Sequence, residues 1–317
     1  MRLVGDIGGT NARFGLIDAS TGGLRHQQVL ACAAFPDLAA AASHYLGQVG
    51  ETTVREAAMA VASPVLGDIV RFTNSPWVFS IEDTRVRLGL DRLEILNDFT
   101  ALALALPHLG PGETRQVGGG APVPGAAIAL IGAGTGLGVS GLLPGSAGWV
   151  PVTGEGGHTA FSPVGEREQS VLRHLWRRFD HVSTERLLQG AGIVLLHETL
   201  CALDGRPHRP LSQEDITREA LAGSDPDCAE VLDLFCGILG TASANLAVTL
   251  GARGGVYIGG GIVPSLGPAF DRSVFRARFE AKGRYRDYMA AIPTYVITAE
   301  NPALRGVAQL LAIPRAG

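Results

Sequence analysis

Short apolar runs at Arg2 to Asp6, Ala12 to Asp18 and Leu24 to Ala31 are separated by glycine-rich breaks. This pattern predicts three strands joined by tight turns. The period then changes. Leu38, Ala41, Ala42, Tyr45 and Leu46 recur at helical spacing behind Asp37, which is placed to cap a helix. "AAMAVA" from Ala57 reads as a buried strand. Ser80 and Asp83 are spaced as a capping box with Asp in place of the usual Glu. "LEILNDF" predicts a strand with Asn97 and Asp98 at its carboxyl end, and "TALALALP" a helix that Pro107 helps to stop.

The same grammar then restarts. "AAIALIGAGTGLGVSGLL" reads as strand, glycine turn, strand, "GWVPVTG" as a third strand, and "VYIGGG" as a later strand reached after a long helical region. The bend at Gly132 to Gly138 echoes the bend at Gly8 to Thr10. Two similar α/β lobes, each opening with a meander, are therefore expected. In open α/β sheets ligands bind beyond the carboxyl ends of the strands. The glycine turns and the Asn97-Asp98 pair all fall at such ends.

Composition narrows the classes. The 317 residues are 46% hydrophobic, enough for one large or two medium domains. A net charge of −4 gives no basic field for nucleic acid or an anionic membrane surface. Gln116 to Gly154 contains no Asp, Glu, Lys or Arg, but glycines and Pro122, Pro124, Pro144 and Pro151 interrupt it. A membrane helix needs about 20 predominantly apolar residues, so buried strands are expected there instead. The four cysteines, Cys32, Cys201, Cys228 and Cys236, have neither CxxC nor zinc-ligand spacing. Reduced thiols in a cytoplasmic protein follow, since no secretory pattern precedes Asp6.

Three glycine bends at strand ends carry the first chemical signal. Gly8 and Gly9 let backbone N–H groups approach an anion without a Cβ in the way. The Thr10 hydroxyl can donate to a phosphate oxygen. Asp6 repels phosphate but can hold Mg²⁺ or its water shell. An ordinary hairpin turn remains the alternative at this bend. "GAGTGLG" is a second candidate loop, with Thr135 in the place of Thr10, and Gly259 to Gly261 is a third. A Rossmann fingerprint fails because Leu137 occupies its third glycine position, and a P-loop fails because the only lysine is Lys282. In "LNDF", Asn97 can donate and accept, and Asp98 can accept a proton from an attacking hydroxyl, or the pair can simply form a turn. Glu155 and His158 of "GEGGH", with Glu185, can complete a hydrogen-bonding cage for vicinal hydroxyls. By itself Glu185 is a first-turn acid behind a Thr184 cap.

"GDIGGTNAR", "ASPVLGD", "TNSPW", "LNDFTALA", "GAGTGLG", "GEGGH", "ERLLQGAG" and "GGGIVP" stand in the order of the bacterial ATP-dependent glucokinases, and the chain resembles that family from residue 5 to about residue 306. The resemblance is to the type without a zinc-bearing cysteine segment. The related repressor–kinases share the first loop, but their "CxCGxxGCxE" segment is absent after His158. The resemblance implies an actin-like ATPase fold of α/β class, with mixed sheets and an active site in the cleft between two lobes. It divides the chain into a small lobe of residues 1–108 plus 299–317 and a large lobe of residues 109–298. Gly5, Asp6, Ile7, Gly8, Gly9 and Thr10 match the family's phosphate-binding segment. Gly132, Gly134, Thr135 and Gly136 match its second phosphate loop, and Gly259, Gly260, Gly261 and Ile262 its adenosine-side turn. Asn97, Asp98, Glu155, His158 and Glu185 match its sugar-contacting positions, with Asp98 the catalytic base. The implied cofactors are ATP and Mg²⁺, the latter near Asp6, and no zinc site. The implied substrate is glucose, and the family is commonly homodimeric. A kinase for mannose or an N-acetylhexosamine, or a non-catalytic actin-like ATPase, would keep the same glycine loops.

Overall fold

The computed structural model describes residues 1–312 apart from 19, 52, 73, 74 and 147. Thr73 and Asn74 of "TNSPW", and the tail 313–317 assigned to the small lobe, lie outside the described residues. The chain separates into two compact units, Met1–Gly110 with Ala299–Gly317, and Pro111–Thr298.

In the first unit β1 (Arg2–Ile7), β2 (Asn11–Ile17) and β3 (Leu24–Ala31) form the expected meander. α1 (Leu38–Val49) starts where Asp37 accepts the Ala40 N–H at 2.9 Å, and stops at Gly50 in the left-handed region. β4 (Glu56–Val61) then lies parallel to β1. A ribbon of β5 (Ile69–Arg71) and β6 (Val78–Ser80) leads into α2 (Ile81–Arg87). There Ser80 accepts the Asp83 N–H at 3.0 Å, the first half of the expected capping box, while its hydroxyl also bonds Asp68. β7 (Arg92–Asn97), parallel to β4, completes the order β3-β2-β1-β4-β7. It runs without a loop into α3 (Asp98–Ala105). The alternation along β1 splits the core. Leu3 and Ile7 pack with Phe14, Leu38 and Tyr45 on one side, and Val4 packs with Ala58, Ala60 and Ala101 on the other.

The second unit has β8 (Thr114–Val117), β9 (Ile128–Ala133), β10 (Leu137–Gly145), β11 (Gly148–Val152), β12 (Gly255–Gly259) and β13 (Thr294–Ile297) in the order β11-β10-β9-β12-β13-β8. Apart from β8, this repeats the first sheet. An antiparallel meander extends one side of its first strand, and two parallel strands extend the other. The charge-free stretch thus supplies three strands. Only β9 is buried throughout; Val150 on the edge strand β11 is 53% exposed, because an edge strand lacks a neighbour to cover it.

Helices α4 (Gly165–Leu175), α5 (Thr184–Leu187), α6 (Gly190–Leu203), α7 (Gln213–Ala222) and α8 (Pro226–Leu250) follow β11. After β12 come α9 (Ile262–Leu266), α10 (Pro268–Asp271), α11 (Phe275–Glu280) and α12 (Arg286–Ala290). α8 is the one described helix long and apolar enough to cross a membrane. Its Val231, Phe235 and Leu239 are instead buried against Leu196, Leu200 and Phe275. Asp225 caps α8 and Pro226 occupies its first position, where no N–H is needed.

The chain then returns to the first unit as α13 (Pro302–Ala312), which packs on α3, β1 and β4. The approach is so close that a Cβ on Gly306 would stand 1.7 Å from the Ala101 carbonyl oxygen of α3. All four cysteines are free and buried.

Candidate active site

The first glycine bend is closed by its own backbone. Ile7 pairs with Ala12, and the Gly8 N–H donates to the Asn11 carbonyl at 2.9 Å. The Thr10 carbonyl accepts the Cys32 N–H at 2.8 Å, while the Thr10 side chain is exposed. One step back along the ladder, Asp6 faces Arg13, whose guanidinium lies 3.5 Å from the carboxylate. Nothing in the local sequence assigns Arg13 a role. The hairpin register contains the signal, since a turn that pairs Ile7 with Ala12 also pairs Asp6 with Arg13.

The Asp6 side chain is 20% exposed. Burial pushes its carboxyl above the usual range, and Arg13 pulls it partly back. An ionised Asp6 is therefore short of positive charge, and a hydrated divalent cation fits that need. A raised folded pKa stabilises the fold at low pH and loses that contribution as pH rises through it. Asp6→Asn should accordingly raise the melting temperature of the ligand-free protein near neutrality. The gain should vanish below the ordinary Asp value of 3.8. A lower melting temperature at neutral pH would contradict it.

The sheet register sets the position of Asn97. Ile7, Val61 and Asn97 share one rung across β1, β4 and β7, so the first bend and Asn97 stand on one edge of the sheet, about 10 Å apart at two strand spacings. Asn97 Oδ1 caps α3, accepting from the Phe99 N–H at 2.9 Å and the Thr100 N–H at 3.3 Å. This narrows the expectation that Asn97 can both accept and donate. Its oxygen is committed to the helix, and its NH₂ is what it can offer a ligand. Asp98 opens α3, and its Oδ1 accepts the Phe99 N–H at 2.8 Å. The pair is thus a helix start rather than a simple turn, and the positive end of the helix favours a carboxylate there.

In the second unit Gly138, Gly132 and Gly259 share a rung across β10, β9 and β12. The loop between β9 and β10 is closed by the Gly134 N–H donating to the Gly136 carbonyl at 2.9 Å, with Thr135 exposed at its tip. Gly260 has φ +78°, and a Cβ there would stand 2.2 Å from the Ala133 carbonyl oxygen. Only glycine permits that contact between the turn after β12 and the loop. Gly261 leads into Ile262, the buried first residue of α9.

Glu185 lies in the first turn of α5, but the cap is Ser183, which accepts the Arg186 N–H at 3.2 Å. Thr184, the expected cap, is turned to the Thr159 carbonyl instead. Glu185 Oε2 accepts the Leu137 N–H at 2.9 Å, and Oε1 lies 3.8 Å from His158 Nε2. Glu155 is exposed, its carboxylate has no partner among the described residues, and its carbonyl accepts the His158 N–H at 3.0 Å. A depression of about 420 Å³ opens beside His158 and Glu185, with Arg178, His181, Arg186 and Gln189 in its lining. The structure therefore gathers Gly132 to Gly136, Gly259 to Gly261, Glu185 and His158 into one region of the second unit. Within the first unit, Gly5 to Thr10, Asn97 and Asp98 share one sheet edge.

Two mixed sheets of repeated order, each with a glycine bend after the strand that opens its meander, β1 and β9, fit the actin-like sugar kinase class that the motif order implies. A crystal structure of glucokinase from an Antarctic psychrotroph is similar to this chain at TM-score 0.89 and 33% identity, covering 98% of each chain. The glucokinase of Balamuthia mandrillaris, solved in complex with glucose, shares the fold at TM-score 0.83 and 18% identity, over 98% of this chain and 93% of that one. Glucokinase of Chromobacterium violaceum is 55% identical over 311 residues, 98% of this chain and 89% of that protein. The family described as Glucokinase matches residues 3–313. The chain belongs to the glucokinase family, as its motif order implies.

Proposed function

We infer that the protein is an ATP-dependent glucokinase, transferring the γ-phosphoryl group of ATP to the 6-hydroxyl of glucose. The observation that carries the reading is Asp98, a carboxylate at a helix start on the same sheet edge as the Gly8 to Thr10 bend. Asn97, Glu155, His158 and Glu185 hold the sugar hydroxyls. Asp98 takes the 6-hydroxyl proton as the O–P bond forms and the bond from the γ-phosphorus to ADP breaks. The glycine amides, Thr10 and Thr135 receive the phosphates. Asp6 would hold Mg²⁺ through its water shell, and the ion would supply positive charge to the phosphate oxygens. The transition state of such transfers is loose, so positioning and electrostatics contribute more than base strength. A cytoplasmic homodimer belongs to the same reading, and light scattering reads the oligomeric state directly.

A coupled assay of ADP release over a hexose panel, with and without Mg²⁺, tests the reading. Glucose with Mg²⁺ should be turned over best. Higher kcat/KM for mannose or an N-acetylhexosamine would replace the substrate, and sugar-independent ADP release would replace the activity. Thr10→Ala should lower kcat/KM for ATP by roughly 10- to 100-fold, the range for a hydrogen bond to a charged group. A change confined to the glucose KM would remove Thr10 from the phosphate side.

A further inference from the structure

Glu185 carries two contacts at once. Its Oε2 accepts the Leu137 N–H at 2.9 Å, at the point where the glycine loop enters β10, and its Oε1 faces His158. The same Oε2 is packed against the loop, since a Cβ on Gly136 would stand 2.8 Å from it. A few residues along the chain, the Gly190 N–H at the start of α6 donates to the Gly134 carbonyl at 2.9 Å. The segment Glu185 to Gly190 therefore grips the loop at both ends. On the far side of the loop the Ala133 carbonyl rests on Gly260. Contacts run unbroken from His158 through Glu185 and the loop to the turn after β12, all inside the second unit.

We propose that Glu185 is a positioning residue that couples the sugar site to the nucleotide loop. It holds the loop from Gly134 to Leu137 in its phosphate-receiving shape, and a sugar hydroxyl donating to Oε1 tightens that hold. The proposal rests on the glucokinase reading and adds a second task for a residue assigned there to the sugar alone. The physical basis is local. A carboxylate accepting a backbone N–H makes a charge-assisted bond, stronger than one between neutral groups. The loop can offer its remaining amides to a phosphate only while its backbone keeps one conformation. A sugar that immobilises the carboxylate removes part of the ordering cost that the nucleotide otherwise meets. The coupling is reciprocal, so glucose and nucleotide tighten each other by the same factor.

The test is calorimetric binding of a non-hydrolysable ATP analogue, with and without glucose, to the wild type, Glu185→Ala and Glu185→Gln. In the wild type glucose should tighten the analogue by at least about fivefold, the low end of ordinary coupling. Glu185→Ala should weaken sugar-free analogue binding by about tenfold, the low end for a lost hydrogen bond to a charged group, and abolish the enhancement. Glu185→Gln keeps a side-chain carbonyl for the Leu137 N–H. It should recover sugar-free affinity to within about threefold of the wild type, since a neutral bond keeps roughly half the strength of a charge-assisted one, while still losing the enhancement. That split separates coupling from general loss of structure, and the Gln variant alone carries it if the Ala variant is unstable. Wild-type analogue affinity in sugar-free Glu185→Ala, or an undiminished enhancement in Glu185→Gln, overturns the proposal. Weakened glucose binding with either of those results leaves the glucokinase reading standing. That reading fails separately, if the wild type releases no ADP with glucose.

Discussion

Asp98→Asn is expected to lower kcat by at least about 10², the low end for a positioned acid–base group, with glucose affinity changed only a few-fold. The substitution is nearly isosteric, and Asn keeps an oxygen able to accept the Phe99 N–H that Asp98 Oδ1 accepts at 2.8 Å. The start of α3, with Asn97 as its cap, should therefore survive. What the amide cannot do is take the proton of the 6-hydroxyl. The lost interaction belongs to the transition state, so the change should appear in kcat and leave sugar binding largely intact. Single-turnover kinetics with glucose titrated by tryptophan fluorescence or calorimetry would check both halves. Near-wild-type turnover would take Asp98 out of its role.

A second large effect is expected far from any ligand. Gly306→Val places a branched side chain where even a Cβ would be 1.7 Å from the Ala101 carbonyl oxygen. That oxygen belongs to the backbone of α3 and cannot rotate away, so α13 must move. Overpacking of this kind costs about 1–3 kcal/mol, occasionally more, which corresponds to roughly 3–10 °C in melting temperature for a domain of this size. Val4, Ala58, Ala60, Leu304 and Val307 lose their packing with the displaced helix. Because α3 begins at Asp98, turnover should fall along with stability. A Gly306→Val protein that melts with the wild type would mean that the two helices do not meet as described.

Some of this was legible in the sequence for clear reasons. The two meanders show because apolar runs and glycine breaks are local, and because the grammar repeats after Pro107. The helix from Leu38 announces itself through Asp37, which does cap it. Local reading fails where neighbouring residues offer the same chemistry. Ser183 and Thr184 can both cap α5, and the choice of Ser183 follows from the contact of Thr184 with Thr159. Asn97 is legible as a candidate from its place at a strand end, yet the loss of its acceptor to the helix follows only from α3 starting without a loop. The Leu137 amide leaves no sequence signal, because every residue except proline carries one. Gly306 is silent for another reason. Its need for a bare backbone is set by Ala101, a partner remote in sequence.

The return of α13 to the first unit has a consequence for synthesis. The second unit is one continuous stretch of chain, whereas the first is completed by a helix made after it. On a ribosome adding about 5–20 residues per second, the sheet of the first unit waits some 10–40 s for α13. During that interval the face formed by Val4, Ala58, Ala60 and Ala101 has no helix from the chain's end to cover it. The nascent protein therefore offers an apolar surface to chaperones with its second unit already able to fold. The half carrying Asp98 is then the last to reach its working shape.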